Sequence, residues 1–377
     1  MSTIIRTRSP FFIRTQEETD ADLNYFEATI LIYQGDVTPA TVCGNFTKTI
    51  TLSKKVLENE TSVTFEISEI INQYLKQTYN QTYPSTLQSI WARVTTRGYK
   101  ADATALGGPN ATTYLAQEGF NTFREGVNFT NQPDAMITTN HIQIKKGDTI
   151  RIPINAETVN SVSFKAGSSN ISVITPTDNG DSNQKIQYAS ATNNTIDSVV
   201  VRDTANATRT ITIEQIEECK YSPIKCVFLN RWGAFQDVYF FKKTTSSLES
   251  KNETFNKSIF AANTITSSLV GGVCTPSSTY NSYSVTDHPT KTFNANAKES
   301  LILNTGFIKE SMNSTFQELL VSEYVWLVIG VSSLTESNIH PVVLKDSNLQ
   351  TKTSLNDRLI NYTMNFEMSF DYINNIR

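Results

Sequence analysis

The chain has 377 residues and a mass of 42.1 kDa, too long for one compact β-domain and suited to about two to three domains. Charged residues make up only 18% of it, below the roughly 25% of an average soluble protein. Asn, Thr, β-branched and aromatic residues are abundant where helix formers are thin, which favours strands and turns. A formal charge of −4 and a pI near 5.6 argue against sequence-independent nucleic-acid binding, because pairs such as Lys145-Lys146 and Lys242-Lys243 do not make the clustered basic face it needs.

From residue 1 to 132 the pattern reads as strands with one helix. Phe26, Ala28, Ile30 and Ile32 alternate, as do Phe46, Ile50 and Leu52 around Lys48, and then Val63, Phe65 and Ile67, the period of half-buried strands. The period then changes. Ile67, Ile70, Ile71, Tyr74 and Leu75 share one helical stripe, so EISEIINQYLKQ predicts an amphipathic helix lidding the sheet, with Ser68 as its N-cap. SIWARVTTRGY predicts another strand, and the Gly-Gly-Pro of ALGGPNATTY a turn or long loop.

Residues 133–217 read as a separate insert. Ile142 and Ile144, Ile150 to Ile154, Ile171 and Val173, Ile186 and Tyr188, Val199 and Val201, and Ile211 and Ile213 are short alternating runs between polar turns. They predict a small immunoglobulin-like sandwich without the Cys and Trp of antibody domains.

From 218 to 377, KCVFLNRWGAFQDVYFFKK predicts a hairpin turning at Gly233, and residues 261–284 a Ser-, Thr- and Gly-rich loop. FIKESMNSTFQELL carries a helical stripe of Ile308, Met312, Phe316, Leu319 and Leu320, followed by the strand EYVWLVIGV. Ile360, Tyr362, Met364, Phe366, Met368 and Phe370 then alternate without a break, which requires one buried face. The expected fold is mainly β: multidomain β-sandwiches with an Ig-like middle domain and one short amphipathic helix in each end domain.

Chemistry-bearing patterns are scarce. Three histidines, His141, His288 and His340, stand apart from each other and from cysteines, and Cys219-x6-Cys226 is wider than a zinc-knuckle pair. All four cysteines, Cys43, Cys219, Cys226 and Cys274, read as reduced. The acidic turn from Asp178 to Asn183 lacks the Glu of a calcium loop, with Ala189 at that position. Phosphate-loop, dinucleotide-fold, HExxH and GxSxG patterns do not occur, so no enzyme, cofactor or metal site is expected. Two acids distant in sequence could still meet as a glycosidase pair. Without an 18-residue apolar run or a signal-peptide core in MSTIIRTRSPFF, synthesis in a host cytoplasm and no membrane association are expected. Trp326, beside Tyr324, reads as core. Phe11, Phe12, Arg231 and Trp232 are the candidate subunit-interface residues, Trp232 because it stands at a hairpin tip with nothing in the chain evidently covering it.

The segments YSPIKCVFLNRWGAFQDVYFFKK, KESLILNTGFIKE, QELLVSEYVWL, RLINYTMNFEMSFDYINNIR and TTYLAQEGFNTFREGVN resemble structural proteins of tailed phages of Bacteroidota, including the crAss-like podoviruses. The resemblance covers the two outer domains, and the middle sandwich resembles the inserts that decorate virion proteins. It implies a homo-oligomeric ring or collar in the tail or neck, between portal and distal tail, through which the genome leaves, with other tail, portal and neck proteins as partners. It supplies no catalytic residue. A host receptor-binding protein and a tail-associated glycan hydrolase are the alternatives.

Overall fold

The computed structural model describes residues 2–33, 48–83, 88–178, 183–259, 266–270, 273–277, 283–330, 338–346, 348–353 and 360–373. The fold is mainly β, with 23 strands against two short helices among the described residues.

The first unit holds β1 (Ile4–Arg6), β2 (Phe12–Arg14), β3 (Leu23–Tyr33), β4 (Lys48–Lys55), β5 (Thr64–Glu66), helix α1 (Ser68–Asn72), β6 (Ser89–Lys100) and β7 (Ala105–Gln117). A sheet in the order β1-β7-β6-β3-β4 is covered on one face by the β2–β5 pair and α1. The alternation of Phe26, Ala28, Ile30 and Ile32 is borne out, all four being core. The helix is shorter than the sequence predicts. Ile67, not Ser68, stands at its N-cap, and the Ser68 hydroxyl bonds the Glu66 carboxylate instead of capping. The chain then tightens into i→i−3 turns, Tyr74 N–H to Ile71 O and Leu75 N–H to Asn72 O, both 3.1 Å. Burial of Ile67, Ile71 and Leu75 survives this change, because tight turns also bring such spacings to one side.

The Gly-Gly-Pro segment is not a loop. It lies inside β7, where the register against β6 shifts between Thr96 and Gly98 and Gly107 takes a φ of +56°. Pro109 is tolerated there because β1 pairs only with Leu115 to Gln117, so this stretch of β7 is a local sheet edge where a missing N–H costs no ladder bond.

The second unit contains β8 (His141–Lys145), β9 (Ile150–Asn155), β10 (Val159–Ala166), β11 (Ser169–Ile174), β12 (Ile186–Ala191), β13 (Ser198–Asp203) and β14 (Thr208–Ile216). Five strands, β11-β10-β13-β14-β8, face the β12–β9 pair across one core built from Ile152, Val162, Phe164, Val199 and Ile211. Strand β10 was not predicted, although its Val162 and Phe164 alternate.

The third unit has β15 (Ile224–Leu229), β16 (Phe235–Phe240), β17 (Thr245–Asn256), β18 (Thr266–Val270), β19 (Val273–Ser277), β20 (Thr290–Asn304), helix α2 (Asn313–Leu320), β21 (Val325–Val328), β22 (Ile339–Leu344) and β23 (Thr363–Met368). Seven of these strands form one sheet, β16-β15-β21-β22-β23-β20-β17, and β18 pairs with β19 inside the segment expected to be a loop. A 3₁₀ turn precedes α2, whose Phe316 and Leu319 pack with Ile308 and Met312 onto Phe228, Phe240, Met364 and Phe366. The unbroken alternation at the C-terminal end buries Ile360, Tyr362, Met364 and Phe366, whereas Phe370 is exposed.

No strand ladder among the described residues crosses from one unit to another; side-chain packing joins them. Strand β16 shows how. Val238 and Phe240 point into the α2 core, whereas Phe235 faces Tyr79 of the first unit, and Tyr239 and Phe241 enter the core of the second. The run FQDVYFF is apolar on both faces because both faces are covered.

Candidate functional site

The β15–β16 turn is the point where the three units meet. Asn230, fully buried, holds the turn: its Oδ1 accepts from the Trp232 and Ala234 N–H groups at 3.0 and 3.1 Å. Its Nδ2 donates to Met136 O at 2.6 Å and to Gln236 Oε1 at 3.2 Å. Gly233 adopts φ +78° and donates to Asn230 O at 3.0 Å. Gly119 of the first unit passes directly against this turn, and Phe120 N–H donates to Arg231 O at 2.9 Å. A Cβ on Gly119 would stand 2.4 Å from Arg231 O and 3.1 Å from Trp232 C, atoms that cannot rotate away. Gly119→Ala is therefore expected to destabilise the chain by about 3 kcal/mol, the upper end for overpacking, in urea unfolding.

Trp232 is half-buried, its ring between the guanidinium groups of Arg6 and Arg231, each 4.4 Å from the ring centroid. Two like charges so close need compensation. Arg231 pairs with Glu125 through two bonds to the carboxylate, and Arg6 donates to Asn121 Oδ1 at 2.6 Å. Burial, and then the neighbouring Arg231, lower the Arg6 pKa to about 10, against the pull of Glu125, so Arg6 remains charged at neutral pH. Burial tends to raise the Glu125 carboxyl, but hydrogen bonds from Arg231 and Thr122 outweigh it and hold the pKa below its ordinary value. Trp232→Ala removes both cation–π contacts and leaves the two cations facing each other, an expected loss of about 2–4 kcal/mol measurable by denaturation.

A second junction lies on the other side of β16. The Asp237 carboxylate accepts from Tyr83 Oη at 2.6 Å and faces Lys225 Nζ at 2.8 Å and Arg151 at 3.7 Å, thereby tying together all three units. Tyr79, Tyr83, Tyr188, Phe235 and Trp326 surround it with edge and tilted ring contacts.

Two surface features face outward. An open cleft of about 680 Å³ runs between the first and third units, lined by Arg8, Phe12, Glu66, Glu69 and Glu323 among others. Arg8 crosses it, pairing with Glu323 at 3.2 Å and donating to Val321 O at 2.9 Å. The second feature is a two-stranded ribbon. All twelve residues of β17 are exposed; β20 pairs with β23 only over Ser300–Asn304, and the ribbon continues past it to Asn256 and Thr290.

The sequence-predicted interface residues fall in different environments. Phe11 belongs to the first core, stacked edge-on against Tyr114. Phe12, its neighbour in the pleat, is exposed at the rim of the cleft, its backbone clasped by the Asn128 side chain through two bonds of 2.7 Å. Arg231 is largely buried by Glu125. The expectation that nothing in the chain covers Trp232 is corrected: Arg6 and Arg231 flank it, Arg6 from far along the chain and so invisible to local pattern. Trp326 is core. Sequence reasoning missed Asp237 and the ribbon. An acid within an apolar strand was the available signal for the first; the second has no apolar period to detect.

Among the described residues no group of three His, Cys, Asp or Glu side chains could hold a metal ion, and Cys219 and Cys226 are free thiols. His141 bonds Glu214 at 2.9 Å. Cys43, Phe46 and the turn residues 179–182 lie outside the described residues. No helix there is long and apolar enough to cross a membrane, a finding silent on β-barrels. No protein-family model matches the chain, and no curated protein matches it at a significant level.

Proposed function

We propose that this chain is a non-enzymatic structural component of a tailed-bacteriophage virion, one copy in a ring or collar of the tail or neck that connects the portal to the distal tail and forms part of the genome-ejection conduit. The observation that carries this reading is the three-way junction at β16. Units fused by a buried ion network and aromatic packing make a stiff block, as a ring subunit under load requires, and a flexible linker would not. The resemblance of the outer units to virion proteins supports the same reading. Its partners are copies of itself and adjoining tail, portal or neck proteins, without sequence-specific nucleic-acid contacts, a cofactor or a membrane.

Light scattering of the purified full-length chain, combined with negative-stain imaging, tests the proposal. Closed rings of defined symmetry are expected, alone or on addition of adjoining virion proteins. A chain that stays monomeric and binds none of them overturns it.

A further inference from the structure

The ribbon is the least self-sufficient part of the molecule. From Lys251 to Lys257 it extends about 20 Å at roughly 3.4 Å per residue; Ala295 and Asn296 at its base are half-buried, and from Thr254 and the facing Thr292 outward both strands are exposed. A lone two-stranded ribbon is marginal in water, and this one carries Phe255 and Phe293 outward at 46% and 66% exposure, their rings 6.3 Å apart. Exposed aromatics on a projecting, polar-rimmed element mark a contact surface.

Its charge identifies the partner. The described outer part of the ribbon carries Lys251, Lys257 and Lys291 against Glu253 and Asp287, a net positive balance. The cleft between the first and third units is lined by Glu66, Glu69 and Glu323 against Arg8, a net negative one, with exposed Phe12 at its rim. Basic ribbon with two phenylalanines and acidic cleft with one are complementary in charge and in apolar character. We infer that the outer part of the ribbon of one copy seats in this cleft of a second copy. The contact joins two different surfaces, so it is head-to-tail and repeats around an axis, the type from which closed rings are built.

This inference rests on the ring reading and can fail separately from it. The experiment measures the mass of full-length protein across a concentration series for the wild type, Lys291→Glu, Glu69→Lys, the double charge reversal, and Phe255→Ser/Phe293→Ser. All these positions are exposed, and circular dichroism checks that each variant folds. Each single reversal and the Phe pair should weaken association at least about tenfold, and the double reversal should recover most of it. Wild-type rings unaffected by every variant overturn the ribbon contact and leave the ring reading standing. A wild type that stays monomeric throughout overturns it as a self-contact; the ring reading then depends on capture by other virion proteins, which would be the occupants of the cleft.

Discussion

Asp237→Ala is expected to lower the free energy of unfolding by about 3–5 kcal/mol, a large share of the 5–15 kcal/mol typical of a folded domain. The carboxylate is nearly buried and is the anion beside Lys225 and Arg151, while also accepting the Tyr83 hydroxyl. Its removal strands two cations in a poorly solvated site and leaves a hydroxyl without its acceptor. Burial and the Asp237 charge push the Tyr83 pKa far up, so the phenol stays protonated and cannot replace the lost anion. Because Tyr83, Arg151 and Lys225 come from different units, urea unfolding followed by both tryptophan fluorescence and circular dichroism should show an earlier transition. A midpoint unchanged from the wild type would show that the junction does not hold the units together. Asp237→Asn, which keeps the volume and an acceptor for Tyr83, should lose less.

Glu118 provides the second large effect, through pH. It lies where β7 runs into the Gly119 crossing, 2% exposed, with Oε2 lacking a hydrogen-bond partner. Burial, with the nearby Glu323 carboxylate adding to it, pushes its pKa up to about 7, against opposing contributions from Gln77 and Arg8. The sign follows from proton uptake. The unfolded chain releases this proton near the ordinary value of 4.5, and the folded chain holds it until about pH 7, so stability from this group is complete below pH 4.5 and is lost as pH rises to 7. At about 1.4 kcal/mol per unit the loss is at most about 3 kcal/mol. Glu118→Gln removes it. In denaturant titrations the variant should match the wild type near pH 4.5 and exceed it by up to about 3 kcal/mol at pH 8; equal stability of the two proteins at pH 8 would refute the assignment.

Much of the fold is written in local pattern. Period-2 runs such as Phe26 to Ile32 and Ile360 to Phe366 mark strands with one buried face, and the Asn230–Gly233 turn is legible because Gly favours a positive φ. Where neither face is buried, the pattern vanishes. β17 reads TSSLESKNETFN, mostly polar with only Leu248 and Phe255 apolar and no period between them, and is held as a strand by its ladder to β20. The predicted helix at residues 66–77 shortens for a related reason: a stripe of apolar residues specifies which side is buried but not how far the helical bonds extend.

The candidate site is less legible still, since its parts are remote in sequence. Phe11 and Phe12 look alike as neighbours, yet Phe11, just before β2, packs in the core while Phe12, the first residue of β2, stands at the cleft rim. Arg6 and Glu125 reach Arg231 and Trp232 only after the first and third units have packed. Composition and periodicity thus determined a mainly β chain and which strand faces must be buried, because hydrophobic burial acts through regular spacing along the chain. Which buried faces meet, where Asp237 finds its cations, and which ribbon stands clear of the sheet were decided by tertiary packing, because charge pairing and steric fit depend on distances in space that no local spacing encodes.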